Sequence, residues 1–363
     1  MNIHEKYINR CMQLAENGLG TTYPNPLVGS VIVYENKIIG EGWHRKAGEA
    51  HAEVNAINSV ADKTLLKKAT IYVSLEPCSH FGKTPPCSDL IIASGFKKVV
   101  IGNVDPFEKV AGRGIKKLMD AGCEVQVGIL EKKCSALNKR FFTFHQKRRP
   151  NIILKWAQSD DGFIAPTHKI ERKPVWITNK YSNQLVHKWR SEEQAIVVGT
   201  NTAVADNPKL NTRLWKGKSP VRVLLDKNLR VSKDSALLDG SIKTIIIHDH
   251  ELDDSAQNRM VFSENISYKD IDFEKDLALQ ICNILYQQGL QSVIIEGGTR
   301  TLQTFIDENC WDEARIFTGK IRFKNGIKAP FIQGKPIKDT FIGSDKLQVL
   351  ENSSQKNKLF KND

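Results

Sequence analysis

The triplet His51-Ala52-Glu53, followed by Pro77-Cys78 and then Cys87, holds the residues best suited to chemistry in this chain. One imidazole and two thiolates make three protein ligands, and a zinc ion held by three keeps its fourth tetrahedral position open. An open position admits water, which ionises near neutral pH on zinc. Glu53 lies two residues beyond the histidine, inside the site without serving as a ligand. A free carboxylate there takes a proton from the water and delivers it to a leaving nitrogen. The implied reaction is hydrolysis of an amine off a heterocycle.

The order His-x-Glu, Pro-Cys, Cys is similar to the signature of zinc deaminases. Most cytidine and tRNA deaminases space the cysteines as Cys-x-x-Cys, whereas eight residues separate Cys78 from Cys87 here. That insertion carries His80, Gly82 and Lys83. A rebuilt loop beside the metal suggests a different substrate, with Lys83 offering a charge and His80 a hydrogen bond. Two other readings stay open. One is a closed four-ligand zinc site completed by His44 or His80. The other is a pair of buried free cysteines. Glu53 and the open coordination favour catalysis.

A second constellation lies in the other half. Ile294-Ile295-Glu296-Gly297-Gly298-Thr299 reads as a buried strand, a tight glycine turn and a helix start. Glycines let a phosphate approach the backbone, and helix N-terminal N–H groups bind it. An ordinary strand-to-helix turn has the same look, and no Gly-x-Gly-x-x-Gly fingerprint is present. Trp156-Ala157, Trp176-Ile177-Thr178, Gly199-Thr200-Asn201-Thr202 and Asp206-Asn207-Pro208 shift the balance toward a site. Arg190 and Arg213 are able to clamp a phosphate, although surface salt bridging is the usual fate of a single arginine.

These residues need elements to hold them. Residues 26–42 read as strand, turn at Glu35-Asn36, and strand. Residues 51–60 have helical spacing and would carry both His51 and Glu53. Strands are expected at 70–74, 98–101 and 124–128, and helices at 88–94 and 114–120. The zinc ligands then fall at helix starts, where the dipole favours thiolate. Alternation of strand and helix implies a layered α/β domain. Charge rises between Glu131 and Pro150 in a polar connection, which places a boundary near Lys147 and units at 1–146 and 147–363. A second α/β pattern follows, with strands at 151–156, 195–198, 221–225, 244–248 and 292–296 and helices at 182–191 and 276–288. The last twenty or so residues are polar and expected to fray at the tip.

The chain has 363 residues and a formal charge of +12, which favours an anionic partner. The lysines are scattered and no aromatic-basic stripe accompanies them, so a phosphorylated metabolite is favoured over nucleic acid. Seven cysteines argue against a disulfide framework. Residues 1–18 lack the regions of a secretory signal and read as an amphipathic helix with Ile3, Tyr7, Cys11 and Leu14 on one face. No apolar run is long enough to span a membrane. The expectation is a cytoplasmic enzyme without membrane partners.

Over nearly its full length the chain resembles the bifunctional riboflavin-biosynthesis deaminase-reductases. The match rests on Pro24-Asn25-Pro26-Leu27-Val28-Gly29, Gly42-Trp43-His44, His51-Ala52-Glu53 and Pro77-Cys78 through Gly82-Lys83-Thr84-Pro85-Pro86-Cys87. In the second half it rests on Lys155, Ser159, Asp161-Gly162, Trp176-Ile177-Thr178, Thr202, Ala205-Asp206-Asn207-Pro208, Arg213 and Glu296-Gly297-Gly298. The resemblance implies a cytidine-deaminase-like three-layer α/β/α domain followed by a dihydrofolate-reductase-like α/β domain. It implies zinc on His51, Cys78 and Cys87, with Glu53 catalytic and Asn25, His44, His80 and Lys83 binding the deaminase substrate. It implies NADPH on Ala157, Trp176, Thr202, Asp206 and Gly298, and the reductase substrate on Arg190, Leu210, Arg213 and Glu296. The reactions implied are loss of the 2-amino group from 2,5-diamino-6-(5-phosphoribosylamino)pyrimidin-4(3H)-one, then reduction of the ribosyl group, in a homodimer or homotetramer. Asp160, Asp105-Pro106-Phe107-Glu108, Pro174 and a long 163–175 loop depart from the pattern. They leave open a deaminase with a degenerate reductase domain. A nucleic-acid deaminase and a non-catalytic zinc scaffold are further alternatives.

Overall fold

The computed structural model describes residues 2–79, 85–107, 111–167 and 175–353. The chain divides into two compact units, Met1–Gln146 and Lys147–Asp363. His80, Lys83, Glu108 and Pro174 lie outside the described residues.

The first unit runs α1 (Ile3–Glu16), β1 (Gly29–Tyr34), β2 (Lys37–Trp43), α2 (Ala52–Ser59), β3 (Thr70–Val73), α3 (Cys87–Ala93), β4 (Lys98–Ile101), α4 (Arg113–Asp120), β5 (Glu124–Val127), α5 (Glu131–Leu137) and α6 (Lys139–Lys147). Its sheet has the order β2-β1-β3-β4-β5. The hairpin joining β1 to β2 turns at Glu35 and Asn36, both with positive φ, as a two-residue turn between twisted strands requires. Side chains alternate across the sheet. Ile32, Ile71, Val73, Val99 and Ile101 pack with Ala56, Ile57, Ile91 and Leu118 from α2, α3 and α4. Val31, Val33, Tyr72 and Val100 face Tyr7, Ile8, Cys11, Met12 and Cys134 from α1 and α5. The sheet is therefore sandwiched between two helical layers.

Two sequence expectations change here. The segment after Glu131 is helical, because Cys134 and Phe141 are buried at helical spacing within its charged residues. His51 is the N-cap of α2 and extended, one residue outside the helix.

Strand β2 touches α2 backbone to backbone. A Cβ on Gly42 would stand 2.3 Å from the Ala56 nitrogen and 2.6 Å from the Ala52 carbonyl oxygen. Gly42→Ala is expected to lower the stability of this unit by roughly 1–3 kcal/mol through overpacking. It should also slow the amine hydrolysis expected at Glu53, because α2 carries that residue. Thermal unfolding together with an assay of that expected reaction checks both.

The second unit contains β6 (Asn151–Gln158), β7 (Phe163–Pro166), α7 (Lys180–Glu192), β8 (Ala195–Gly199), α8 (Thr200–Asp206), β9 (Val221–Leu225), β10 (Thr244–Asp249), α9 (Asp254–Gln257), β11 (Ile266–Ile271), α10 (Leu277–Gln287), β12 (Ser292–Glu296), α11 (Thr299–Asp307), β13 (Glu313–Thr318), β14 (Gly326–Lys328), β15 (Lys335–Ile342) and β16 (Asp345–Glu351). Nine strands form one sheet in the order β11-β10-β9-β8-β12-β6-β13-β16-β15. From β11 to β13 neighbours are parallel, and β16 and β15 add antiparallel. Helices α10 and α11 bury Ile281, Leu285, Leu302 and Phe305 on one face. Helix α7 packs Val186 and Trp189 on the other.

Within the polar C-terminal stretch, residues 345–351 form β16, an interior strand that buries Leu347, Val349 and Leu350. Residues 354–363, the tip expected to fray, lie outside the described residues.

Candidate functional site

In the first unit the short motif folds onto a single point. His51 caps α2, Cys78 lies in the connection after β3, and Cys87 opens α3. Cys78 is thus a loop residue rather than a helix start. The His51 Nδ1 stands 3.6 Å from the Cys78 Sγ and 3.3 Å from the Cys87 Sγ. The three donor atoms lie within 4.8 Å of one another. An imidazole and two thiols that close together suit a tetrahedral zinc ion. The Cys87 backbone N–H donates to the Cys78 Sγ at 3.3 Å. A hydrogen bond from the Cys87 thiol, followed by the effect of His51, holds Cys78 well below the usual thiol range.

Glu53 is buried next to these donors, with 3% of its surface exposed. Burial lifts its carboxyl to about 7, the charge on Cys78 adds to the rise, and His51 opposes it. A carboxyl poised there exchanges protons at neutral pH. A divalent cation at the three donors would draw it back down.

His44 is not a fourth donor. Its Nδ1 lies 3.2 Å from the Ala50 carbonyl and its Nε2 3.0 Å from the Asn25 amide nitrogen. These partners assign Nδ1–H as donor and Nε2 as acceptor, so both nitrogens are in use. Its ring meets His51 edge-on with centroids 5.3 Å apart, which brings Asn25 and His44 to the candidate metal site. The other closing residue considered, His80, is outside the described residues.

In the second unit a cleft of about 1530 Å³ is lined by Lys155, Ala157, Trp176, Arg190, Thr202, Asp206, Leu210, Arg213, Glu296 and Gly298, among others. Every residue expected to meet cofactor or substrate in this half lines it. The floor comes from the C-terminal ends of β6, β8, β9 and β12, the usual ligand crevice of a parallel sheet. Helix α11 begins at the cleft after Gly298, and no side chain caps it. Its first N–H groups are therefore available to a phosphate. Gly298 has φ −64°, so it is not needed for a left-handed turn. A Cβ there would meet only the Thr202 hydroxyl, at 3.3 Å.

Glu296 organises the other end. Arg190 donates to its carboxylate at 3.2 and 2.7 Å, and the Lys155 Nζ lies 3.7 Å away. Burial alone would raise this carboxyl, but the charges of Arg190 and Lys155 hold it at about 2. Arg190 is thus paired with Glu296, and its Nη1 also donates to the Asn211 carbonyl at 3.3 Å. Arg213 is exposed in the cleft, with Nη1 on the Asn211 side-chain oxygen at 3.2 Å. Asp160 is solvent-facing and 3.5 Å from Arg322. Its neighbour Asp161 does the local work, accepting from the Ser159 hydroxyl at 2.6 Å and the Lys324 N–H at 2.8 Å.

Residues 150–346 match the RibD C-terminal domain family, and residues 1–103 match the cytidine and deoxycytidylate deaminase zinc-binding region. The chain is 39% identical to riboflavin biosynthesis protein RibD of Aquifex aeolicus over 87% of its length and 86% of that protein. The chain belongs to the RibD family. The RibD of Bacillus amyloliquefaciens is likewise 39% identical, over 92% of this chain and 89% of that protein. Among solved structures, the Thermotoga maritima diaminohydroxyphosphoribosylaminopyrimidine deaminase/5-amino-6-(5-phosphoribosylamino)uracil reductase superposes with a TM-score of 0.86 at 35% identity, covering 96% of this chain and 99% of that one. Acinetobacter baumannii RibD superposes with 0.84 at 30% identity, covering 96% and 98%. As a RibD protein the chain is a bifunctional deaminase and reductase of riboflavin biosynthesis, with a zinc-binding deaminase domain and a reductase domain. No helix among the described residues is long and apolar enough to cross a membrane.

Sequence reasoning missed several residues around the RibD sites. Lys155 enters the sequence reading only through the resemblance, yet it is a largely buried counter-charge to Glu296, with 15% of its side chain exposed. His187 precedes Arg190 by three positions on α7 and accepts from the Arg213 N–H at 3.2 Å. Burial, then Arg190 and Arg213, push its imidazole down to about 4, so it stays neutral and acts as an acceptor. The i, i+3 spacing to Arg190 was the available signal. Asp105, raised to about 6 mainly by burial, sits close enough to Cys78 to feel its charge.

Proposed function

We propose that the first unit removes the 2-amino group of 2,5-diamino-6-(5-phosphoribosylamino)pyrimidin-4(3H)-one as ammonia. The second unit then reduces the ribosyl group with NADPH to give 5-amino-6-(5-phosphoribitylamino)uracil. The observation that carries this reading is the convergence of His51, Cys78 and Cys87 beside a buried Glu53.

His51, Cys78 and Cys87 would hold the zinc. Zinc, when bound, supplies a Lewis acid and a water that ionises near neutral pH. Glu53 accepts a proton on its carboxylate and returns it to the departing nitrogen. Asn25 and His44, joined to each other beside His51, orient the pyrimidine. The resemblance gives His80 and Lys83 to the same substrate, Lys83 as a cation for the phosphate.

In the cleft, Ala157, Trp176, Thr202, Asp206 and Gly298 would hold NADPH, which supplies the hydride. The bare start of α11 suits its pyrophosphate. Arg190, Leu210, Arg213 and Glu296 take the substrate. Arg213, not committed to Glu296, faces the substrate phosphate, while Arg190 keeps Glu296 ionised and fixed. The substrate is a small molecule rather than a nucleic acid. No disulfide joins the seven cysteines, all of which are among the described residues, and this suits the cytoplasm. A homodimer or homotetramer is the assembly we expect, and sedimentation would test it.

Following ammonia release and NADPH oxidation in one vessel with zinc-loaded protein tests the reading. Ammonia first and NADPH consumption second is the expected sequence. Ammonia alone would leave the second unit without its proposed activity. Stripping the metal with a chelator is expected to abolish ammonia release, and zinc to restore it. NADPH oxidation with the deaminated substrate should be unaffected. Deamination that persists in metal-free protein would refute the metal assignment.

A further inference from the structure

Glu76 immediately precedes Pro77-Cys78 and has only 4% of its surface exposed. A buried carboxylate is costly unless its charge is met. Four backbone N–H groups meet it here. Oε2 accepts from Asp105 at 3.2 Å and Gly112 at 2.9 Å. Oε1 accepts from Gly114 at 2.9 Å and Ile115 at 3.3 Å. Three of these donors belong to the N-terminal end of α4, whose dipole favours the negative charge. The Glu76 N–H also donates to the Asn103 carbonyl at 2.9 Å. The segment leading to Cys78 is thus tied to the end of β4 and the start of α4.

The packing is equally tight one residue on. A Cβ on Gly114 would fall 2.1 Å from the Pro77 carbonyl oxygen, so α4 lies directly against the peptide that leads into Cys78. On its other side Cys78 is held by α3, through the Ser88 N–H on its carbonyl at 3.1 Å and the Cys87 N–H on its sulfur. Cys78 sits in a loop with no helix or strand of its own, so these contacts set where its sulfur points.

We infer that Glu76 is a positioning residue for the metal site, holding Cys78 at the distance from His51 and Cys87 that a zinc ion requires. The inference rests on the metal assignment proposed above. Glu76 touches neither metal nor substrate; it acts through the Pro77-Cys78 backbone. An amide in its place keeps one acceptor oxygen and turns an NH₂ group toward two N–H donors. The clamp then opens on one side, and outer-shell groups of this kind typically govern metal affinity by roughly 10- to 100-fold.

The test is the rate at which the full-length zinc-loaded protein surrenders its metal to a coloured chelator. Glu76→Gln is expected to release zinc roughly tenfold faster or more, with NADPH binding unchanged. Leu118→Val is the control, since it removes a methylene from the buried face of α4 without touching Glu76, and it should release zinc at the wild-type rate. Release from Glu76→Gln at the wild-type rate overturns the inference. So does equal acceleration by Leu118→Val, which would make the effect one of α4 stability. Should Glu76→Gln not fold, Glu76→Asp decides. It keeps the charge but cannot reach all four donors, so faster release is expected and an unchanged rate overturns the inference. A wild-type chain that binds no zinc would instead refute the metal assignment itself, and this inference with it.

Discussion

Glu53→Gln is expected to slow ammonia release by about 10²- to 10⁴-fold, the range over which a positioned general acid–base group acts. Zinc content should stay at one per chain. The amide matches the carboxylate in shape, so the buried pocket beside Cys87 stays filled. What it loses is the ability to accept a proton and pass it on. The proposed metal donors, His51, Cys78 and Cys87, are unaltered, and this separates the variant from Cys87→Ala, which should lose zinc and activity together. NADPH oxidation with deaminated substrate should proceed at the wild-type rate. Metal analysis and the two assays, run on one preparation, check the result. A variant that still deaminates would make Glu53 a structural residue and return the zinc-scaffold reading.

The second large effect is expected in the other unit. Glu296→Gln leaves Arg190 and Lys155 without a counter-charge in a buried place. Breaking such a pair typically costs about 3–5 kcal/mol. Linkage gives a similar size. Glu296 ionises at about 2 in the fold against an ordinary value of 4.5, a difference that corresponds to about 3 kcal/mol. Because the folded pKa is depressed, that stabilisation is present above the ordinary carboxylate range and is lost as pH falls through about 2. Lys155 offsets part of it, since burial drives its own pKa down against the pull of Glu296. Denaturant unfolding should therefore show a large wild-type advantage at neutral pH that shrinks toward pH 2. Reductase kcat/KM should fall by roughly 10²-fold, the scale of a 1 Å misplacement at a reacting centre. Deamination, in the other unit, should be untouched. An unchanged reductase would mean that Arg190 needs no anchor.

Much of the fold could be read from residue order. Runs such as Ile294-Ile295 and Val99-Val100-Ile101 are buried on both faces of a sheet, and their continuous apolar character marks them as strands. The hairpin at Glu35-Asn36 and the helix carrying Glu53 follow from local spacing in the same way. Residues 131–147 did not, because their charges mask a helical face whose buried hydrophobic residues are Cys134 and Phe141 alone. Strand β15 is almost wholly exposed. No apolar pattern announces it, and it exists because β16 offers it a hydrogen-bonding edge.

The candidate sites divide along the same line. The zinc donors and Glu53 were readable because metal chemistry depends on residue type, and their motif pieces are short. The cleft residues were found as separate fragments and as a resemblance, but their division of labour was not. Whether Arg190 binds a phosphate or a carboxylate depends on where Glu296 and Lys155 arrive from distant strands. The partners of Glu76 are backbone N–H groups, which every residue but proline carries and which leave no mark in the sequence. Side-chain chemistry is written in residue identity, so the sequence specifies which reactions are possible. Pairing of distant charges and backbone donors is set when the chain returns on itself, so the three-dimensional fold assigns which residues act and which hold them in place.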